Sequence, residues 1–187
     1  MKIRARFLIL TCFLLSTATI GLAQDPLREV YPLDDFTLRE EMVPMRDGVN
    51  LYTLILIPKN IKEPLPIILE RTPYNATRLV GASSTRLEVV LGPKFLGTGY
   101  IYAAQDLRGR YKSEGKYEMY RVPRGEYNKT GTDETTDAWD AIDWLVKNIP
   151  GTNGKIGVWG TSYPGWLTLA AMREPHPALA AAVPFNP

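Results

Sequence analysis

The chain has 187 residues, 45% hydrophobic and 22% charged, proportions that exclude collagen-like, low-complexity and charge-driven disordered classes. One Cys excludes a disulfide scaffold and any Cys-rich zinc or iron–sulfur site, and one His, His176, excludes multi-His metal centres. The formal net charge of +2 comes from the extreme N-terminus. Lys2, Arg4 and Arg6 are three of the 22 basic residues, and none of the 20 acidic ones lies before Gln24, so the remainder holds 19 against 20, a net of −1. That balance offers nothing to draw nucleic acid or an anionic membrane as a main partner.

The first element is a basic stretch, Met1 to Arg6, followed by an apolar run from Phe7 to about Ala23. Small residues at Gly21 and Ala23 complete the pattern of a secretory signal peptide cleaved after Ala23. The alternative is an uncleaved membrane anchor; the run is marginal in length for that and ends in a cleavage signal. A lipid anchor on Cys12 is disfavoured because Ile9-Leu10-Thr11 lacks the small residues expected before an acylated Cys. The expected location is therefore secreted or periplasmic, with no membrane attachment after cleavage and no Cys in the mature chain. Residues 24–35 are a polar, Pro-punctuated lead-in, and 36–187 are the folded part.

Phe36 to Met45 and Val49 to Ile57 read as strands, joined by Arg46-Asp47-Gly48 with the Asp-Gly signal of a hairpin. Leu65 to Leu69 reads as a short buried strand, leading into Arg71-Thr72-Pro73-Tyr74. Ser84 to Leu91 is weakly helical. Tyr100 to Ala104 is a further buried strand, followed by a polar, Gly-rich loop to about Gly131. A helix follows with Thr132 as N-cap, acidic residues Asp133, Glu134 and Asp137 in its first turns, and an apolar stripe of Ala138, Ala141, Ile142, Leu145 and Ile149. Lys155 to Trp159 is a strand, Tyr163 to about Arg173 a helix, and Ala178 to Val183 begins another strand. Strands alternating with helices after an antiparallel hairpin predict an α/β fold with a mostly parallel sheet. The order ends at Pro187 with no helix to cover the last strand, so the expectation is a sheet cut short before completion.

The informative stretch is Gly157-Val158-Trp159-Gly160-Thr161-Ser162-Tyr163-Pro164-Gly165. It sets Ser162 at a strand-to-helix junction flanked by glycines, the setting of a nucleophile elbow. Pro164 is tolerated because the first helical turn has no intrahelical acceptor for its N–H, and the helix N-terminus would stabilise negative charge developing beside Ser162. On these residues alone two readings stand, Ser162 as nucleophile and Ser162 as a helix cap.

Gly160-Thr161-Ser162-Tyr163-Pro164-Gly165 resembles the serine box of the cocaine-esterase and X-Pro dipeptidyl-peptidase (CocE/NonD, S15-like) α/β-hydrolases. Met45-Arg46-Asp47-Gly48-Val49, Arg71-Thr72-Pro73-Tyr74-Asn75 and Asp106-Leu107-Arg108-Gly109 look like that family's other N-terminal landmarks. The stretches from Thr132 to Asp140 and from Glu174 to Leu179 narrow the likeness to the α-amino-acid ester hydrolases. The resemblance implies the N-terminal part of an α/β-hydrolase fold, with Ser162 as nucleophile. It also implies an oxyanion hole from the backbone N–H of Tyr163 and the hydroxyl of Tyr74. It implies no cofactor and no metal. The implied activity is hydrolysis of ester or amide bonds of α-amino-acid-type acyl substrates, small molecules or short peptides, through an acyl-enzyme. X-Pro dipeptidyl-peptidase or general carboxylesterase specificity, or a non-catalytic remnant, are the alternatives. A homo-oligomer is admissible.

The triad Asp and His are expected beyond Pro187, because His176 lies only 14 residues past Ser162 in a Pro-flanked loop and reads as structural. Asp133, Asp137 and Asp140 are read as helix-dipole and solvated carboxylates. Asp106 and Arg108 are read as a bracing pair, and Trp139, Trp144, Trp159 and Trp166 as packing residues. No phosphate-binding Gly-rich loop is present.

Overall fold

The computed structural model describes residues 35–77 and 99–187. The expected signal peptide, nearly all of the lead-in and the weak helix from Ser84 to Leu91 lie outside the described residues. Among the described residues there are six strands and two helices: β1 (Phe36–Pro44), β2 (Asn50–Pro58), β3 (Leu65–Thr72), β4 (Ile101–Asp106), α1 (Glu134–Asn148), β5 (Thr152–Thr161), α2 (Tyr163–Arg173) and β6 (Leu179–Phe185). They build one sheet in the order β1-β2-β4-β3-β5-β6. The β1–β2 and β2–β4 pairs are antiparallel, and β4–β3, β3–β5 and β5–β6 are parallel. This is the α/β architecture that the alternation of elements predicts.

The hairpin turns where the Asp-Gly pair stands. Gly48 adopts φ 85°, its N–H donates to the Met45 carbonyl at 2.9 Å, and Met45 N–H donates to the Val49 carbonyl at 2.8 Å. β2 alternates between two faces, both covered. Leu51, Ile55 and Ile57 join Ile67, Leu69, Ile101, Ile156 and Val158 beneath the α1 stripe of Ala138, Ala141, Ile142 and Leu145. Tyr52, Leu54 and Leu56 face the other way, with Tyr102, Ala104 and Phe36. A strand buried on both faces loses the polar half of its alternation, which is why Asn50–Pro58 reads as continuous apolar sequence.

The α1 stripe lies where the 3.6-residue period puts it, but its cap is one residue later than the sequence suggests. Asp133 is the N-cap: its side chain accepts from Thr136 N–H at 2.8 Å, and the Thr136 hydroxyl accepts from Asp133 N–H at 2.9 Å. Thr132 instead ends the preceding loop, its carbonyl accepting from Asn128 and from the Thr130 hydroxyl. Among the described residues no helix is long and apolar enough to cross a membrane.

Candidate active site

β5 carries the chain to Thr161, and α2 starts at Tyr163, leaving Ser162 alone in the junction. Ser162 has φ 62° and ψ −125°, a region that L-residues rarely occupy, and its side chain makes no cap hydrogen bond. The junction therefore does not use the Ser162 side chain as a cap; it holds an exposed serine on a strained turn. Two glycines permit the turn. A Cβ on Gly160 would lie under 3.0 Å from the Pro164 carbonyl, and one on Gly165 would lie 2.6 Å from the Phe185 carbonyl oxygen. The first α2 turn follows directly, so the Tyr163 N–H is one of the amides that have no acceptor within their own helix.

Tyr163 is anchored through its ring. Its hydroxyl accepts from Tyr120 N–H at 2.7 Å, its ring stacks on Tyr120 at 4.7 Å between centroids, and Trp166 meets both rings edge-on. Burial pushes the phenol pKa up, so the side chain stays neutral. Tyr74 lies two residues past β3. Because β3 and β5 are adjacent and parallel, Tyr74 and Ser162 emerge from the same rim of the sheet, the carboxyl-end rim where ligands gather in open α/β sheets. Tyr74 is 51% exposed, and its N–H donates to the Thr72 hydroxyl at 3.0 Å.

Beneath this rim runs an ion network that periodicity does not reveal. Arg108 does not brace Asp106. The chain turns after β4, sending the Arg108 guanidinium to Asp137 (2.7 Å) and Asp47 (2.7 Å), while Asp106 accepts from Ala76 N–H. Asp137 is fully buried and also meets Arg121 at 3.4 Å. Neither Asp133 nor Asp137 is solvated, and Asp140 binds Arg46 in a fork at 2.7 to 3.1 Å. Arg46, Arg108, Arg121 and Arg124 pair these helix carboxylates, Arg124 meeting Asp133 at 3.7 Å. Arg71 joins the network through Glu134 at 3.0 Å and through Gln105 at 2.9 Å. Burial pushes the Glu134 pKa up, and the Asp137 charge adds to the shift while Arg71 opposes it. Burial disfavours the charge of Arg108, but Asp137 and Asp47 more than offset it and hold that pKa above its usual value.

His176 lies beyond the C-terminal end of α2, and the 11 residues of that helix separate it from Ser162 by about 16 Å along the axis. Its ring lies edge-on to Trp139 at 4.5 Å. Its Nδ1 accepts from Ala178 N–H at 3.0 Å, and its Nε2 meets Asp143 at 3.3 Å. This places the imidazole in the connection before β6, out of reach of the Ser162 hydroxyl. Among the described residues no group of three or more His, Cys, Asp or Glu could hold a metal ion.

The sequence profile of the X-Pro dipeptidyl-peptidase (S15 family) matches residues 47–187. Cocaine esterase of Rhodococcus sp. (strain MB1 Bresler) is 32% identical over 124 residues, which are 66% of this chain and 19% of that protein. An aminopeptidase from a marine sediment archaeon, Thaumarchaeota archaeon, superposes with a TM-score of 0.74 at 51% identity, over 82% of this chain and 26% of that one. An α-amino acid ester hydrolase superposes with a TM-score of 0.73 at 44% identity, over 90% of this chain and 28% of that one. The chain thus spans about a quarter of the length of these two solved structures. A CocE/NonD family hydrolase from Staphylococcus aureus shares the fold at 22% identity.

Proposed function

Because the chain belongs to the X-Pro dipeptidyl-peptidase (S15) family of serine hydrolases, we propose that it carries the nucleophile and the oxyanion hole of a secreted acyl-transfer enzyme. The observation that carries this reading is the backbone of Ser162, held at φ 62° with the residue exposed and its side chain unused as a cap. In the proposed step the Ser162 Oγ attacks the carbonyl carbon of an ester or amide. Its proton passes to a general base, and the C–O or C–N bond breaks as the leaving group takes up that proton. Water then releases the acyl group from Ser162. Tyr163 N–H and the Tyr74 hydroxyl donate to the oxyanion that forms in both halves.

The single imidazole of the sequence stands at the far end of α2, so the base and its orienting carboxylate are assigned to protein outside these 187 residues. An α-amino-acid-type acyl group is the favoured substrate. Two relatives above 40% identity are named an aminopeptidase and an α-amino acid ester hydrolase, and both names point to that group. The basic-then-apolar segment from Met1 to Ala23 supports export.

The testing experiment is fluorophosphonate labelling of the chain together with the protein that supplies the base, with Ser162→Ala as control. Labelling that disappears in Ser162→Ala is the expected result when a base is present. Equal, non-zero labelling of the two proteins in the presence of that base removes Ser162 as nucleophile.

A further inference from the structure

The segment from Thr72 to Thr77 is gripped at successive residues. Leu107 N–H donates to the Thr72 carbonyl at 3.1 Å, the Arg110 Nε–H to the Pro73 carbonyl at 3.1 Å, and Ala76 N–H to the Asp106 carboxylate at 2.6 Å. Tyr74 is the exposed residue between these attachments. Within the loop, Asn75 takes the left-handed φ of 81° and its side chain accepts from Thr77 N–H at 3.0 Å. All three grips come from the end of β4 and the turn after it. Asp106 is fully buried, so its carboxylate has little freedom. The Arg110 guanidinium lies 4.9 Å from the ring centroids of both Tyr111 and Tyr117, which restricts a side chain that would otherwise be mobile. Gly109 makes this turn possible, since a Cβ there would collide with the Tyr117 backbone.

We infer that Arg110 and Asp106 are positioning residues for Tyr74, fixing the Pro73 carbonyl on one side and the Ala76 amide on the other so that its hydroxyl is held at the Ser162 rim. The inference rests on the reading of Tyr74 as an oxyanion donor. An oxyanion donor acts only when it is preorganised, and a shift of about 1 Å is enough to lower a rate by about 10²-fold. A half-exposed tyrosine side chain would not hold that tolerance unless its backbone were fixed on both sides.

The test uses the 187-residue chain with 3-fluorotyrosine placed at Tyr74, read by ¹⁹F NMR together with hydrogen exchange at the Ala76 amide. Asp106→Ala is expected to cut Ala76 protection and to shift or broaden the Tyr74 resonance. Asp106→Asn, which keeps the accepting Oδ1, restores both. Arg110→Ala moves the Tyr74 resonance while core amides such as Val158 stay protected. An unmoved resonance in both Arg110→Ala and Asp106→Ala, or a global loss of protection that Asn does not rescue, overturns the inference.

The fluorophosphonate labelling rate, measured with the protein that supplies the base present, separates the two readings. Tyr74→Phe is expected to slow labelling about 10²-fold, and Arg110→Ala added to Tyr74→Phe slows it no further. If Tyr74→Phe labels at the wild-type rate, the oxyanion reading fails, whatever the resonance shows. If Tyr74→Phe is slow and Arg110→Ala slows labelling additively, Arg110 does not act through Tyr74.

Discussion

Ser162 N–H donates to the carbonyl oxygen of Phe185 at 3.0 Å, and that same oxygen lies 2.6 Å from where a Cβ on Gly165 would stand. The end of β6 is therefore closed against the elbow, and Gly165 is the residue that allows the approach. Gly165→Ala would push α2 off β6, with only backbone atoms to absorb the collision. The expected cost is about 3 kcal/mol, at the upper end of overpacking in a well-packed core. Urea unfolding of the variant checks it, and a midpoint within error of wild type would mean that β6 yields freely.

Strain at Ser162 has its own signature. A non-glycine residue at φ 62° with ψ −125° stores about 1–3 kcal/mol. Glycine adopts this region at no steric cost, although its greater freedom in the unfolded chain removes about 0.4–1 kcal/mol of the gain. Ser162→Gly is accordingly expected to unfold about 1 kcal/mol later than wild type, whereas Ser162→Ala, which keeps the Cβ, stays near wild type. Both lose fluorophosphonate labelling. Equal stability of all three proteins would show that the turn is relaxed.

The Asp137 carboxylate holds together elements distant in sequence, since Arg108 follows β4 and Arg121 lies in the long loop before α1. Asp137→Ala leaves the buried Arg121 guanidinium without its anion and Arg108 with Asp47 alone, and a broken buried pair costs about 3–5 kcal/mol. Calorimetric unfolding of Asp137→Ala tests this. Repacking Arg108 and Arg121 as methionines together with Asp137→Leu should recover much of the loss, because the expense lies in the uncompensated charge. A loss that persists in the triple variant would assign the cost to packing instead.

These examples show what the sequence makes legible. β1, β2, the α1 stripe and the junction at Ser162 follow from period, turn residues and Gly placement, all local signals. β5 and β6 run further than expected, to Thr161 and Phe185, because parallel pairing recruits Gly160 and Pro184 that have little strand preference of their own. The acidic residues of α1 mislead. Asp133, Asp137 and Asp140 look like a solvated first turn and a polar face, and only the arrival of Arg46, Arg108, Arg121 and Arg124 from other segments pairs them. Arg110 gave no signal either, since its role depends on a carbonyl 37 residues upstream. Long-range partners of charged residues are set by topology, which periodicity does not encode.

The Asp133 cap ties the stability of α1 to acid. Burial opposes the charge of this carboxylate. The hydrogen bonds from Arg124 N–H at 2.8 Å and Thr136 N–H at 2.8 Å outweigh burial and hold its pKa below the usual range. A depressed carboxyl pKa means that the unfolded chain binds the proton more tightly than the folded one. The stabilisation is thus complete above the unfolded value of about 3.9 and is lost as pH falls through the folded value. Asp133→Ala is expected to cost about 1–2 kcal/mol at pH 7, typical of a lost N-cap, with the gap to wild type narrowing below about pH 4. Asp133→Asn keeps an accepting oxygen without the charge, so its stability relative to Asp133→Ala should not change with pH. Urea midpoints of the three proteins at pH 7 and pH 3 decide the matter. A wild-type advantage over Asp133→Ala that is as large at pH 3 as at pH 7 would show that the cap acts through shape alone.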